Sequence, residues 1–307
     1  MAQLSGALIT YDEVIRREDL SDIISDVSPD SAPLYDMLPK TTAEQTLHEW
    51  SEYNISRDSS VSTSVEGDDN SYSDLTVAGR LNNICQIIKK PFAVTETEIA
   101  VDKAGAKDAY AREMTNAMRR WKISAEFALI RGSKASGSSG IARQMEGLIN
   151  FIQGNSGLFT ARNSGTSLSE NAFIDVLSSS WGVTDDYMID LVLTTSTLKV
   201  DVDNFTAGNT RRIEAEDKKL VKSVSVYEGG PGSTPVRIMA HKDIPDNHLV
   251  GVRKELLGVA HLRNRTPKHV ANSVTGDSKK GHIVGELTLK VESARPMIVQ
   301  AGYNLGR

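Results

Sequence analysis

The stretch DKAGAKDAYAREMTNAMRRWKISAEFALIR, residues 102–131, carries the longest helical signal in the sequence. Its apolar residues recur three or four positions apart, which aligns one apolar stripe on a helix of 3.6 residues per turn. The stripe consists of Tyr110, Met114, Ala117, Met118, Trp121, Ala125 and Ala128. Asp102 can cap the unpaired N–H groups of the first turn, and Gly132 opens a Ser/Gly-rich run that ends the helix. The pattern predicts one rod over residues 102–131, about 45 Å long at ~1.5 Å per residue.

The composition limits the class of protein. The chain has 307 residues, of which 39% are hydrophobic and 24% charged, enough for an ordinary core in one large or two modest domains. No run approaches the ~20 apolar residues of a membrane-spanning helix, and no secretion signal follows Met1, so we expect a cytoplasmic protein without membrane contact. The single cysteine, Cys85, excludes internal disulfides and thiolate zinc clusters. A formal charge of -5 argues against a broad nucleic-acid-binding surface.

The first 40 residues are divided by Pro29, Pro33 and Pro39, each of which limits a continuous helix. The apolar residues between them suit packing along another body, which favours an extended N-terminal arm. These residues are Leu20, Ile23, Ile24, Val27, Leu34, Tyr35, Met37 and Leu38. The composition equally allows the alternative that this segment is an N-terminal part of the core.

Two strand-like flanks, residues 46–55 and 81–101, enclose a polar segment rich in Ser and Asp. Alternation continues to the end of the second flank, so that strand is predicted to reach residue 101. The enclosed segment, 56–74, has too few apolar groups to offset its ordering entropy in an isolated chain. We therefore expect a long two-stranded arm whose tip needs a partner. Its acidic residues fit no twelve-residue calcium loop, which favours a solvated acidic tip over a metal site.

The segments after the long helix are shorter. Residues 132–140 share only glycines with a phosphate-binding loop, since the Lys-Ser/Thr pair is missing and the segment follows a helix C-terminus, so we interpret them as a flexible linker. MEGLINFI, residues 145–152, is predicted to be a short apolar turn and strand, and residues 154–167 are predicted to be a loop.

The next region has the pattern of an α/β layer. A helix over residues 167–181 is capped by Ser169, a buried strand follows at residues 189–193, and a second helix starts at Thr194 or Thr195. One face of the first helix is predicted to carry Phe173, Val176, Leu177 and Trp181. A hairpin around GGPGST, residues 229–234, and strands at residues 248–252 and 256–262 follow. Residues 282–303 are predicted to form two strands that return to the body holding the long helix.

The order of these elements resembles the major capsid proteins of tailed double-stranded DNA phages, which have the Hong Kong 97-like capsid fold. Several stretches of sequence are similar too, and the resemblance spans nearly the whole chain in order, without one diagnostic motif. These stretches are EDLSDIISDVSPDSAPLYDMLPK, TLHEWSEY, EIAVDKAGAKDAYAREM, MEGLINFI, DLVLTTSTLKVDVDNF and MAHKDIPDNHLVGVRKELL. The fold implied is α+β, and the function implied is a structural one.

The resemblance also implies a domain organisation. Residues 1–43 would be the N-arm, 44–100 the E-loop that lies over a neighbouring subunit, 101–165 with 281–307 the peripheral (P) domain with its spine helix, and 166–280 the axial (A) domain. The subunits would form hexamers and pentamers of an icosahedral shell that encloses DNA without sequence-specific binding, with a portal protein at one vertex. Separate scaffold and decoration proteins stay open, and no cofactor is implied. The expected location is the virion, assembled in the cytoplasm of the bacterial host.

We expect the N-arm and the E-loop to supply contacts between subunits. The candidate contact residues are Leu34, Tyr35, Trp50, Tyr53, Glu66, Asp68, Asp69, Lys89 and Lys90. Some proteins of this fold link a lysine to an asparagine between subunits. Lys89 and Lys90 are interpreted as ordinary basic residues of the outgoing E-loop strand, so no crosslink is assigned.

Catalysis is not expected from this sequence. Its six histidines show no HExxH motif, no G-x-S-x-G elbow occurs, and no dinucleotide-binding loop follows a strand. The alternative to a phage head is the shell protein of a non-viral, encapsulin-like nanocompartment, which shares the fold. Portal and terminase genes beside the coding gene would favour the phage.

Overall fold

The long helix α3 spans Ala109–Arg131 and packs against the short helix Pro33–Met37 and against the strands Gln86–Thr95 and Ser278–Val291. It begins later than predicted, because the carboxylate of Asp108 accepts a hydrogen bond from Ala111 N–H at 3.0 Å and caps the helix there; the predicted cap, Asp102, lies outside the described residues. Its 23 residues make a rod about 35 Å long at ~1.5 Å per residue. The predicted stripe is confirmed, since Trp121 at its centre is fully buried. Gly132 ends the helix as predicted.

The computed structural model describes residues 32–53, 61, 63–69, 77–101, 108–155, 157–181, 188–205, 226–227, 235–273 and 276–303. Besides α3, the helices within these ranges are α1 Pro33–Met37, α2 Glu96–Ala100, α4 Leu148–Gly154, α5 Glu170–Trp181 and α6 Ser196–Asp203. The first strands are β1 Lys40–Ala43, β2 Leu47–Glu52, β3 Gly79–Ile84, β4 Gln86–Thr95, β5 Leu158–Thr166 and β6 Leu191–Thr194. The remaining strands are β7 Val226–Tyr227, β8 Val236–Ala240, β9 Leu249–Val252, β10 Leu257–Leu262, β11 Lys268–Ala271, β12 Ser278–Val291 and β13 Ile298–Tyr303.

These strands form two sheets and a separate pair. The first sheet has the order β1-β10-β12-β11, and β4 also pairs antiparallel with β12, from Thr95 opposite Ser278 to Gln86 opposite Leu287. The second sheet has the order β5-β13-β9-β6-β8-β7. Strands β2 and β3 pair antiparallel with each other, as predicted for the two-stranded arm. The fold is therefore α+β, with α3 lying against the first sheet.

Strand pairing crosses the predicted domain limits. β10 and β11 fall in the predicted A domain but pair with β12 of the first sheet. β12 returns to the body holding α3, as predicted; β13 joins the second sheet beside β5 and β9, and its Val299 packs in the same core as Trp121 of α3. The chain thus passes between the two sheets several times, and the domain limits themselves stay a prediction.

Three local predictions were wrong. The strand predicted to reach residue 101 ends at Thr95, because the Thr95 hydroxyl accepts from Glu98 N–H at 3.3 Å and starts α2. MEGLINFI forms the helix α4 rather than a turn and strand, since a short apolar run fits either period and its buried residues follow the helical one. The loop predicted at residues 154–167 contains β5, whose partner β13 is remote in sequence.

The linker predicted at residues 132–140 is instead the start of a small hairpin. Backbone bridges join Ala135 to Gln144 and Ser138 to Ile141. At its base, the N–H of Gly147 donates to the carbonyl of Gly132 at 2.8 Å, and a Cβ on Gly132 would come within 2.5 Å of the Met145 carbonyl. Only glycine permits this approach of two backbones.

Most predictions for the α/β layer are confirmed. Ser169 caps α5 by accepting from Ala172 N–H at 3.2 Å, and Thr195 caps α6 by accepting from Leu198 N–H at 3.4 Å. The hairpin around residues 229–234 appears as the antiparallel pair of β7 and β8. Trp181 was placed wrongly on the buried face, because it ends α5 and is 55% exposed.

The apolar core has two main parts. One lies between α3, α4, the first sheet and one face of the second sheet, and it includes Trp121, Phe151, Leu289 and Val299. The other lies between α5, α6 and the opposite face of the second sheet, around Phe173. None of the described helices is both long and apolar enough to cross a membrane.

Candidate functional site

The described N-terminal segment is held to α3 by one buried carboxylate. Pro33 occupies the first turn of α1, where a missing N–H costs nothing, but Ala32 offers no side chain to cap the helix. Glu126 of α3 takes this role: its Oε1 accepts from Leu34 N–H at 2.7 Å and its Oε2 from Tyr35 N–H at 2.6 Å. Because Glu126 is fully buried, these bonds replace the water that a carboxylate requires.

A histidine beyond the end of β8 completes this anchor. His241 Nε2 lies 2.7 Å from Glu126 Oε1, and its Nδ1 accepts from Asp243 N–H at 3.1 Å. Since Nδ1 is an acceptor, the ring carries its proton on Nε2 and donates it to the carboxylate. We call Glu126, His241 and the first turn of α1 the N-terminal anchor. It joins three segments that are far apart in the sequence.

Tyr35 is buried beside the N-terminal anchor. Its ring meets Trp121 edge to face at 5.9 Å, and its hydroxyl lies 3.2 Å from Nε2 of His261. Burial, and then the charge of Asp36, raise the pKa of Tyr35 to about 12, while burial lowers the pKa of His261. The ammonium of Lys40 lies 3.8 Å from the centre of the Tyr35 ring, and desolvation lowers the pKa of Lys40.

Leu34 and Tyr35 therefore contact their own chain, where both are buried. For residues 32–43 the structure matches the alternative stated above, an N-terminal part of the core, because α1 packs on α3 and β1 pairs with β10. Residues 1–31, which include Leu20, Ile23, Ile24 and Val27 of the predicted arm, lie outside the described residues.

The two-stranded arm of β2 and β3 is fastened to the body at its base by Asn83, whose side chain makes four hydrogen bonds. The side-chain amide of Asn83, on β3, donates to the carbonyls of Glu146 at 3.0 Å and Leu289 at 2.9 Å. Its oxygen accepts from the N–H groups of Ile84 and Glu146, both at 2.8 Å. Asn83 is fully buried and uses four hydrogen bonds, so it fixes the root of the arm against β12.

Trp50 also lies at this base. Its indole stacks on Phe151 of α4 at 5.9 Å and is half-buried in its own chain. On the same strand, Glu52 accepts from the hydroxyl of Ser293 and pairs with Arg295 at 3.3 Å. Trp50 therefore packs against α4 of its own chain.

The described residues between β2 and β3 are exposed. Tyr53 is 60% exposed, Val61 is 88% exposed, and Val65 and Val77 are also open to solvent. The acidic residues of the tip, Glu66, Asp68 and Asp69, are exposed as well. The described residues contain no group of three or more His, Cys, Asp or Glu side chains that could hold a metal ion. The exposure of these three side chains agrees with the solvated tip that their spacing in the sequence predicts.

Lys89 and Lys90 lie in the middle of β4, opposite Val284 and Ile283 of β12. Lys89 is exposed and Lys90 half-buried. The role of either lysine in contacts between subunits stays a prediction, as it does for Tyr53, Glu66, Asp68 and Asp69.

The sequence reasoning missed the buried polar residues that fasten these segments, among them Asn83, Glu126, His241 and Glu286. Glu286 of β12 pairs with Arg265 at 2.8 Å and with Arg143 of the small hairpin at 3.3 Å. A signal existed only for Glu126, since the last turns of α3 are apolar on nearly every side and any charge among them must be partly enclosed. The others depend on partners supplied by distant segments.

The comparisons with known proteins agree with this geometry. Over residues 5–302 the sequence matches the family model described as SU10 major capsid protein. No curated protein matches the chain. A capsid of a native GTA particle is similar with a TM-score of 0.65 at 9% identity, covering 94% of this chain and 96% of that one. The capsid of Myoviridae phage XM1 is similar with a TM-score of 0.61 at 12% identity, covering 97% and 100%.

A shell of another kind is similar too. The SrpI encapsulin of Synechococcus elongatus PCC 7942 reaches a TM-score of 0.58 at 13% identity, covering 95% of this chain and 94% of that one. At such identities the likeness shows the fold, which is the Hong Kong 97-like capsid fold. The family is shown by the match over residues 5–302. This chain therefore belongs to the SU10 major capsid protein family.

Proposed function

We propose that this capsid protein assembles into the icosahedral head that encloses the double-stranded DNA genome of a tailed phage. The observation that supports this best is the E-loop. Among the described strands β2 and β3 pair only with each other, and an isolated two-stranded hairpin is marginally stable in water. Its exposed valines beyond that pair, Val61, Val65 and Val77, have the character of a surface that a partner covers.

The partner we propose is a neighbouring copy of the same chain. In a closed symmetric shell each subunit offers the same patch and receives the same arm, so one weak contact is repeated around every capsomer. Hexamers and pentamers supply this symmetry, and a portal protein occupies one vertex. Separate scaffold and decoration proteins stay open. Each chain has a formal charge of -5, so the shell encloses DNA without sequence-specific binding.

The domain roles belong to the same proposal. Residues 101–165 with 281–307 form the peripheral domain around α3, residues 166–280 the axial domain at the capsomer centre, and residues 1–43 the N-arm. The crossing of β10, β11 and β13 between the two sheets supports a rigid body from which the E-loop projects. The particle is assembled in the host cytoplasm and becomes the virion head.

Removal of the E-loop tip tests the proposal. A variant in which a short Gly-Ser turn replaces residues 56–74 should stay soluble and folded, because both apolar cores lie elsewhere. It should not form closed shells, since the neighbour loses its contact. Electron micrographs of wild type and variant give the readout, and equal melting temperatures of the unassembled chains serve as the folding control. Normal closed particles of the variant would contradict the proposal.

The second candidate is a nanocompartment shell, and the similarity to the SrpI encapsulin favours it. The family match favours the phage head. The content of particles purified from their natural source separates the two: a head contains double-stranded DNA of genome length, whereas a nanocompartment contains cargo protein. Portal and terminase genes beside the coding gene would point to the head.

A further inference from the structure

One face of the first sheet, the face turned away from α3, is basic. A Cβ on Gly285 would meet the ring of Trp121, and a Cβ on Gly281 would meet the hydroxyl of Tyr110, so the odd positions of β12 face α3. Because successive side chains of a strand alternate, the even positions of β12 face the other way, together with their partners on β4 and β11. We call four residues of this outer face the lysine face: Lys89, Lys268, Lys280 and His282.

Two exposed lysines lie across β12 from each other. Lys89 and Lys268 are both opposite Val284, so their backbones are two strand spacings apart, about 10 Å. Within the described part of the chain neither lysine is paired with a carboxylate. Strands β4, β11 and β12 contain six lysines and one acidic residue, Glu286, which is already paired with two arginines. The lysine face therefore suits an acidic partner.

Apolar side chains lie among these charges. Ile87, on the same face of β4 as Lys89, is 41% exposed, and Pro91 is exposed beside it. Val270 of β11 lies opposite His282 and is half-buried. A partner that fits this surface should thus combine acidic groups with a small apolar one.

A turn among the described residues between β2 and β3 has this combination. Asp68 N–H donates to the carbonyl of Val65 at 3.1 Å, and Gly67 has a φ of 86°. That φ lies in the left-handed region, which glycine adopts without strain in a tight turn. Glu66 and Asp68 are exposed on this turn, and Val65 is 78% exposed. We call residues 65–68 the acidic turn.

The arm of β2 and β3 leaves its own body far from the lysine face. Glu52, the last residue of β2, accepts from the hydroxyl of Ser293, which follows the C-terminal end of β12. From His282 to Val291, where β12 ends, the strand rises about 30 Å at ~3.3 Å per residue. This separation favours the lysine face of another copy over that of the same chain.

We propose that the acidic turn of one subunit docks on the lysine face of a neighbouring subunit. The contact rests on the proposed function, because it requires neighbours in a shell. Glu66 and Asp68 face the lysines, and Val65 lies against Ile87 and Pro91. A single exposed ion pair contributes little, but every subunit of a closed shell repeats the contact.

A charge swap tests this contact. Lys89→Glu with Lys268→Glu makes the lysine face acidic, and Glu66→Lys with Asp68→Lys makes the acidic turn basic. Either pair of substitutions alone should lower the amount of sedimentable shells at least about tenfold, because like charges then meet. All four substitutions in one chain place opposite charges together again and should restore the shells.

The matched control is Lys242→Glu with Lys254→Glu. Both lysines are exposed and lie outside the strands of the first sheet, and the change in net charge is the same. This variant should form shells like the wild type. Equal melting temperatures of the unassembled chains are the folding control, and the milder pair Lys89→Gln with Lys268→Gln should give a smaller loss of shells.

Normal shells from Lys89→Glu with Lys268→Glu would overturn the docking proposal. A loss of shells that the four substitutions together do not restore would overturn it as well. Both results leave the proposed function standing, because removal of residues 56–74 tests that function separately. Absence of shells from the wild type would overturn the proposed function and this contact together.

Discussion

Replacement of Glu126 by glutamine tests whether the N-terminal anchor depends on a charge. The carboxylate accepts three hydrogen bonds of 2.6–2.7 Å, from the N–H groups of Leu34 and Tyr35 and from His241 Nε2. Glutamine has nearly the same volume, so it leaves no cavity. It keeps one acceptor oxygen and replaces the other with an NH2 group, which can only donate.

The size of the effect follows from this geometry. If the amide oxygen takes the position of Oε1, it keeps Leu34 and His241, and the NH2 group faces Tyr35 N–H, donor against donor. An unpaired buried donor costs about 1–3 kcal/mol, and the two remaining bonds weaken because their acceptor is no longer charged. Removing a buried charge recovers part of that loss. We expect the free energy of unfolding to fall by about 2–4 kcal/mol.

Urea unfolding of the unassembled chain, followed by tryptophan fluorescence, measures this change, since Trp121 lies beside Tyr35. Glu113→Gln is the matched control on the same helix. The Glu113 side chain is 30% exposed and pairs with Arg120 at 3.3 Å, so its loss should cost less than about 1 kcal/mol. Limited proteolysis should also cut residues 32–40 faster in Glu126→Gln alone.

Equal unfolding free energies for Glu126→Gln and Glu113→Gln would refute this reasoning. That result would mean that α1 stays docked through its apolar contacts, with Leu34 in the core, and that the buried carboxylate contributes no net stability. Faster proteolysis of residues 32–40 without any loss of stability would instead limit the role of Glu126 to α1.

Three further substitutions test the packing. Trp121→Ala should cost about 3–5 kcal/mol, because Trp121 is fully buried and its indole N–H donates to the carbonyl of Ile88; an unchanged melting temperature would show that the stripe faces solvent. Asn83→Ala should cost about 3 kcal/mol in urea unfolding, whereas Asn82→Ala should cost under about 1, since only Asn83 is fully buried. Burial raises the pKa of Cys85 to about 11 from 9.0, so stability present below pH 9.0 should be lost as the pH rises through 11. Cys85→Ala should remove that part of the loss, which thermal melts across this range would detect.

The sequence predicted elements whose period is long enough to be unambiguous. The stripe on α3 repeats over several turns, and the alternation in β12 continues over most of a long strand. Short apolar runs fit both periods, so α4 was taken for a turn and strand. Boundaries were set by local caps: Thr95 and Asp108 both start helices where the pattern alone placed the ends elsewhere.

The buried polar residues could not be predicted in this way. Leu34 and Glu126 are 92 residues apart, and Asn83 and Leu289 are 206 apart. Nothing in the residues around Asn83 marks it as buried, because three of its four hydrogen bonds are with Leu289 of β12 and Glu146 before α4, and only the fourth is with its neighbour Ile84. The burial of such a residue depends on contacts between distant segments, so only the folded structure shows it. An apolar stripe depends on spacing along the sequence, so it can be predicted.

The two buried anchors also constrain how subunits meet. Asn83 holds the root of the E-loop and Glu126 holds the root of the N-terminal segment, each with every polar atom of its side chain paired inside its own chain. A contact that pulled either root away would leave buried donors and acceptors unpaired, at about 1–3 kcal/mol for each group. Assembly should therefore bend the arms beyond their roots, where no buried group loses its partner. The residues that change partners on assembly should therefore lie outside the anchors, at Tyr53 and the exposed valines of the E-loop, rather than at Leu34, Tyr35 or Trp50.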